Sequence, residues 1–278
     1  MKNNKIIKKF KLKKELLKKR NIVVSVILFA IISFVGITTT MNKVSANSKT
    51  ALLDNNVFVR EVDGQVFEED DILIMGYKPM DYAQVMSFIL TKANKSPYGA
   101  EGIDLNGLTL NEHLINANAA AYLEGVDPNV IITQQILETS IYVFKYQQTG
   151  KDGKIKEVTS MVKPSDYNYA GLGAVDGGSS GNGFSSNSEG QLAQAQHLKA
   201  YASTEAPSTT LVDKRFDLVK RGVSPTLKGL SKAWASNDVY GEHIADLYTE
   251  MMNHETDIEL VKQYTNKPFG KKVENKQK

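Results

Sequence analysis

Apolar and polar positions divide the chain into a lysine-rich head, an apolar run and a body whose pattern is mostly helical. Across 81–94, Val85, Phe88, Ile89 and Lys92 recur on one side of a helix with a 3.6-residue period. Thr109 and Glu112 form a capping box for a helix running to Leu123, which Gly125 stops. Asp127-Pro128 sets an N-cap acid before a proline at the first helical position and opens the helix VIITQQILETSIY. Further helices are expected over 189–202, 226–235 and 240–264. Two hairpins are expected, over 57–70 around Asp63-Gly64 and over 143–159 around Asp152-Gly153. Residues 47–56 read as polar and flexible, 165–188 as a glycine-rich loop, and 265–278 as a disordered Lys-rich tail. The expected class is α+β, mainly α, with small β-hairpin insertions. One body spans 74–264, preceded by an extension over 47–73.

The head changes where that body is expected to work. Residues 2–20 are dominated by lysine, and Ile22 to Ile37 is apolar except for Ser25, Ser33 and Gly36. Val44-Ser45-Ala46 then offers a small-x-small exit, which completes the pattern of a secretory signal over 1–46. The run is shorter than the ~20 residues that cross a bilayer, but Thr38 to Met41 extends it, so retention as a membrane anchor over 22–41 is the alternative. Either way the basic end stays inside and the body faces outward, secreted to the cell wall or tethered to the outer face of the membrane.

Charge follows the same division. The formal net charge is +3, yet residues 1–46 hold 11 of the 34 basic side chains and one acid, leaving 23 basic and 30 acidic. An acidic body argues against nucleic acid as a partner, since phosphate binding needs cations. The absence of cysteine removes disulfides, thiol nucleophiles and a lipoprotein anchor. The four histidines, His113, His197, His243 and His254, form no HExxH, and the glycines near 171 form no phosphate loop, so no metal and no cofactor is expected. The glycine cluster reads as the lip of a cleft, and His197 as a core histidine.

One acid stands out. At helical spacing Glu138 is flanked by Ile131, Gln134, Gln135, Ile141 and Tyr142, with no Lys or Arg in a pairing position. A carboxyl in such surroundings has its pKa raised by desolvation and can donate a proton to a leaving oxygen, as glycoside cleavage requires.

Several phrases, in order from about Ile74 to Tyr248, resemble the bacterial glucosaminidase family, endo-β-N-acetylglucosaminidases that cut peptidoglycan on a lysozyme-like scaffold. GVDPNVIITQQILET is similar to the family helix bearing its indispensable Glu, and DYNYAGLGA to its Gly-x-Gly turn. GNGFSSNSEGQLAQAQHLKAYAS, LVDKRFDLVKRG and WASNDVYGEHIADL resemble the segments that follow. Ser140 departs from the pattern, standing where the family usually has Gly, and so does His243, where a Lys or Arg is often found; the hairpin over 143–159 is longer than in many relatives.

The resemblance implies that Glu138 protonates the oxygen between GlcNAc and MurNAc. Water would be activated by Asp238, or by Glu157 as a candidate second carboxylate; alternatively the substrate's own acetamido oxygen attacks. Asp238 has an ordinary reading as a helix cap. Tyr167, Asn168, Tyr240 and Gln135 are candidate substrate contacts, with turn chemistry as the ordinary reading for Asn168 and core packing for Tyr240. Trp234, the only tryptophan, is either a sugar-stacking surface or core. The expected partner is the peptidoglycan glycan strand, met by a monomer. A lytic transglycosylase and a catalytically silent wall-binding protein are the competing readings.

Overall fold

A computed structural model describes residues 49–52, 58–62, 65–68, 71–150, 152–174 and 181–272, with side chains described from Asp71 onward. The leader or anchor expected over 1–46, the Asp63-Gly64 turn and residues 175–180 of the glycine loop lie outside the described residues. Among the described residues no helix is long and apolar enough to cross a membrane. The chain divides into two units, Met1–Asp70 and Asp71–Lys278.

The first unit contains an antiparallel sheet of β1 (Lys49–Leu52), β2 (Phe58–Val62) and β3 (Gln65–Glu68), in that order. Its β2–β3 pair sets Val62 opposite Gln65. β1 occupies part of 47–56, expected to be flexible; Ala51 pairs with Val59 and Leu52 with Phe58.

Among the described residues the second unit has six α-helices: α1 (Tyr82–Asn94), α2 (Leu110–Glu124), α3 (Pro128–Glu138), α4 (Asn187–Ala202), α5 (Tyr240–Met252) and α6 (Ile258–Tyr264). With two hairpin-sized sheets it is α+β and mainly α. The expected caps operate. Asp81 accepts from Gln84 N at 3.1 Å, and Thr109 and Glu112 satisfy each other's backbone donors at 3.1 and 2.9 Å. Gly125 ends α2 at φ 76°. Asp127 caps α3 while its other oxygen receives the Tyr248 hydroxyl at 2.8 Å and Lys78 at 3.1 Å.

α3 is the central helix. Every residue from Pro128 to Ile136 is buried, the signature of a helix with no solvent face. It packs against α2 and α5, and α4 lies along α2. Gly190 lets α4 approach closely: a Cβ there would sit 1.9 Å from the Tyr167 carbonyl oxygen.

Three expectations are corrected. Residues 226–235 are not an α-helix; a single 3-10 turn over Lys228–Leu230 is followed by turns in which Lys232 has φ 62°. Thr226 bridges Leu73, and Ser224 ties Gly229 O at 2.6 Å, so the segment's backbone groups are committed elsewhere. The single helix expected over 240–264 is two, because Asn253 to Asp257 favour caps over helix interior; Asp257 caps α6 at Leu260 N, 2.9 Å, while its own N donates to buried Ser87 at 2.8 Å. Of the tail expected to be disordered, the described part, through Lys272, carries a strand, and residues 273–278 lie outside the described residues. β7 (Pro268–Phe269) pairs with β4 (Leu108–Thr109), and Phe269, 2% exposed, stacks on Tyr264.

The hairpin of β5 (Lys145–Thr149) and β6 (Ile155–Thr159) is exposed along nearly its whole length. It leaves α3 through an unusual turn. Ser140, Ile141, Tyr142 and Phe144 have φ of 52, 64, 60 and 57°, all left-handed and none a glycine. Ile141 N reaches Ile136 O at 2.8 Å, Tyr142 N reaches Thr139 Oγ1 at 2.7 Å and Phe144 N reaches Thr139 O at 2.9 Å, so the conformation is held by its own hydrogen bonds. Ser140→Gly relieves one left-handed residue at some cost in unfolded-state entropy. We expect a net gain of about 0.5–1 kcal/mol in urea unfolding; a loss would show that Ser140 is unstrained.

Candidate active site

α3 carries Glu138 as its last residue, where the negative end of the helix dipole further disfavours an anion. The side chain is half-buried, yet its carboxyl is crowded by protein atoms. Burial raises its pKa above the usual carboxylate range, and hydrogen bonds from Tyr240 and then Trp234 pull the other way without overcoming it. No cation contributes, so the group is reachable, dehydrated and unpaired with opposite charge.

Tyr240 is the first residue of α5. Its hydroxyl donates to Glu138 Oε1 and accepts from Gln134 Nε2 at 3.2 Å. Gly241 places it: a Cβ there would lie 2.3 Å from Leu227 O, so only glycine lets the start of α5 press against that turn. Burial first, and then the Glu138 carboxylate, push the Tyr240 hydroxyl well above its ordinary pKa, so it remains a donor. Beside Oε2 lies Gly171, at φ 65°, where a Cβ would stand 3.7 Å away.

Other candidates fall elsewhere. Asn168 is 2% exposed and fully engaged: Oδ1 accepts from Leu172 N at 2.8 Å, and Nδ2 donates to Leu172 O at 3.0 Å and Asn182 O at 2.9 Å. It clamps the Gly171 turn, the turn chemistry that was its ordinary reading. Tyr167, at φ 52°, accepts from Asn106 Nδ2 at 2.7 Å and is half-buried between two hydrophobic clusters. Gln135 is fully buried. Its Oε1 faces His113 Nε2 at 2.8 Å and the Tyr142 hydroxyl at 3.0 Å, and its Nε2 donates to Gln191 and Gln194 at 2.6 Å each.

Asp238 is 70% exposed and pairs with Lys232 at 3.4 Å; Asn237, not Asp238, receives the Val239 N–H at 3.0 Å. Glu157 is 50% exposed and pairs with Lys145 at 3.3 Å. Neither carboxylate is brought against Glu138 by any contact. Among the described residues no cluster suits a metal ion.

Two residues have partners that the sequence did not reveal. Trp234, expected on a helix, lies in the turns before α5 and directs its indole N–H at Glu138. His197 is buried, as expected, but with a partner: Nδ1 lies 2.7 Å from Asp213 Oδ2, and the ring meets Trp234 edge-on at 4.9 Å. Asp213 lies 16 residues after His197 and beyond the end of α4, so helical spacing does not reveal it.

Two pH dependences follow. Burial holds His113 down to about 4, with the Gln135 hydrogen bond opposing. The fold therefore excludes a proton that the unfolded chain accepts near 6.5. That stability is complete above the unfolded value and is lost as pH falls toward about 4, roughly 3 kcal/mol in all. Glu138 acts in the opposite sense, since its raised pKa makes stability fall as pH rises above 4.5. We expect Glu138→Gln to unfold at a higher temperature at neutral pH and, freed of the opposing term, to lose stability steadily on acidification from 6.5 to 4. Calorimetry checks both; a Glu138→Gln variant less stable at neutral pH would contradict the desolvated carboxyl.

No protein-family model and no solved structure matches the chain. Over 150 residues it is 31% identical to a Borreliella burgdorferi protein that bears the name "Uncharacterized protein", covering 52% of this chain and 67% of that one. The chain belongs to one family with this Borreliella burgdorferi protein.

Proposed function

We propose that this chain is a glycoside hydrolase that cuts the GlcNAc-β-1,4-MurNAc linkage of peptidoglycan on a lysozyme-like scaffold, outside the cytoplasm, in wall remodelling or cell separation. The observation that carries the proposal is the Glu138 carboxyl: dehydrated, free of any cation, raised in pKa and still reachable beside a glycine turn. A carboxylic acid kept neutral near physiological pH is the group that protonates a departing glycosidic oxygen. Its proton passes to the leaving sugar as the bond to the anomeric carbon breaks. Water then adds at that carbon and returns a proton to Glu138.

The position of the other carboxylates favours a particular second step. Asp238 and Glu157 each face solvent against a lysine. Attack by the substrate's acetamido oxygen needs no enzymic nucleophile and suits a site with one buried acid. A lytic transglycosylase shares that requirement and is the second reading, separated by its anhydro-MurNAc product. The leader read in residues 1–46 supports export, and peptidoglycan is the polymer met there.

Incubation of the full-length chain with purified cell walls should release fragments with reducing GlcNAc ends, identified by mass spectrometry. Glu138→Gln should lower the rate by about 10²–10⁴-fold while circular dichroism stays unchanged. Undiminished cleavage by that variant, or wall binding without any cleavage by the wild type, would overturn the assignment.

A further inference from the structure

The buried polar side chains around α3 form a line with a direction. Asn116 donates to Asn187 Oδ1 at 2.9 Å, and Asn187 Nδ2 donates to His113 Nδ1 at 2.9 Å. Nδ1 is thus an acceptor, the ring is the Nε2–H tautomer, and Nε2 donates to Gln135 Oε1 at 2.8 Å. With that oxygen also filled by Tyr142, Gln135 Nε2 donates onward to Gln194 Oε1 at 2.6 Å. Gln194 Nε2 donates to Gln134 Oε1 at 2.8 Å, Gln134 Nε2 donates to the Tyr240 hydroxyl at 3.2 Å, and that hydroxyl donates to Glu138 Oε1.

Each amide has one donating and one accepting end, and each is set by its neighbour. Turning any one around would place N–H against N–H or oxygen against oxygen in a site sealed from water, since Gln134, Gln135 and Gln194 are at most 1% exposed. The Tyr240 oxygen is occupied by Gln134, so its single proton is committed to Glu138 Oε1. An oxygen already accepting a hydrogen bond is the poorer place for the acid's own proton.

We propose that Gln134 and Gln194 are positioning residues: they orient the Tyr240 hydroxyl onto Oε1 of Glu138 and thereby tune the acid's affinity for its proton. The proposal rests on Glu138 being the general acid. The other polar or titratable groups near the pair are Trp234 in the turn before α5, Tyr201 of α4, and the His197–Asp213 couple behind Trp234. None of them contacts Gln134 or Gln194, so the effect of these amides is separable from theirs.

The only tryptophan donates to the carboxyl in question, so its fluorescence against pH in the full-length chain reads the Glu138 midpoint; loss of the transition in Glu138→Gln assigns it. Removing a donor to the anion raises its pKa. Tyr240→Phe should therefore move the midpoint upward, Gln134→Met should move it the same way by less, and Gln134→Met in the Tyr240→Phe background should add nothing. An unmoved midpoint in Gln134→Met, or shifts that add in full, would overturn the proposal. Should these variants fail to fold, the wild type still decides: the side-chain amide resonances of Gln134 and Gln194 should shift with the Glu138 midpoint, and invariant resonances would overturn the relay. Wall cleavage is measured separately. A chain that shows the coupled titration but cuts no glycan loses the hydrolase reading, whereas active variants with unmoved midpoints lose the relay alone.

Discussion

The structure turns on keeping one carboxyl out of water without giving it an opposite charge. A buried glutamate normally has a lysine or arginine, as Glu124 has Lys199 at 3.4 Å in this same fold. Glu138 has two neutral donors in that place, the Tyr240 hydroxyl and the Trp234 indole. A cation would hold the group ionised. Neutral donors offset part of the desolvation and leave the pKa raised. The two carboxylates, set by different partners, differ in the one property that acid catalysis requires.

That arrangement dictates much of what surrounds it. α3 is buried on every side so that its C-terminus can deliver Glu138 from a dry interior. Gly241 allows α5 to begin where Tyr240 meets the acid, and the Gly171 turn lies beside the other oxygen. The glutamines of α3 and α4 are in the core because apolar side chains could not hold the Tyr240 hydroxyl in one orientation. The left-handed turn from Ser140 to Phe144 redirects the chain into the hairpin immediately after the acid, with strain that its local hydrogen bonds sustain.

Legibility in the sequence followed the range of the interaction. Local devices were readable: the Thr109–Glu112 box, the Asp127-Pro128 start and the Gly125 stop each act within a few residues. Glu138 was conspicuous because its helical neighbours contain no cation. Ser140, noted only as a departure from a glycine, occupies a left-handed position, which gives that departure a physical meaning. Misreadings arose where distant groups decide. Residues 226–235 look helical until Ser224 and Leu73 claim their backbone. Glutamine is ordinarily a surface residue, so the inward set on α3 and α4 carried no signal beyond its spacing. Trp234 and Asp213 reach their partners across the fold, which no periodicity records.

The most direct test is a titration of the Glu138 carboxyl carbon by NMR in the full-length chain labelled at glutamate side chains. The account predicts one resonance with a midpoint above 4.5, absent from Glu138→Gln. A Glu138 resonance that titrates at or below that value would contradict it.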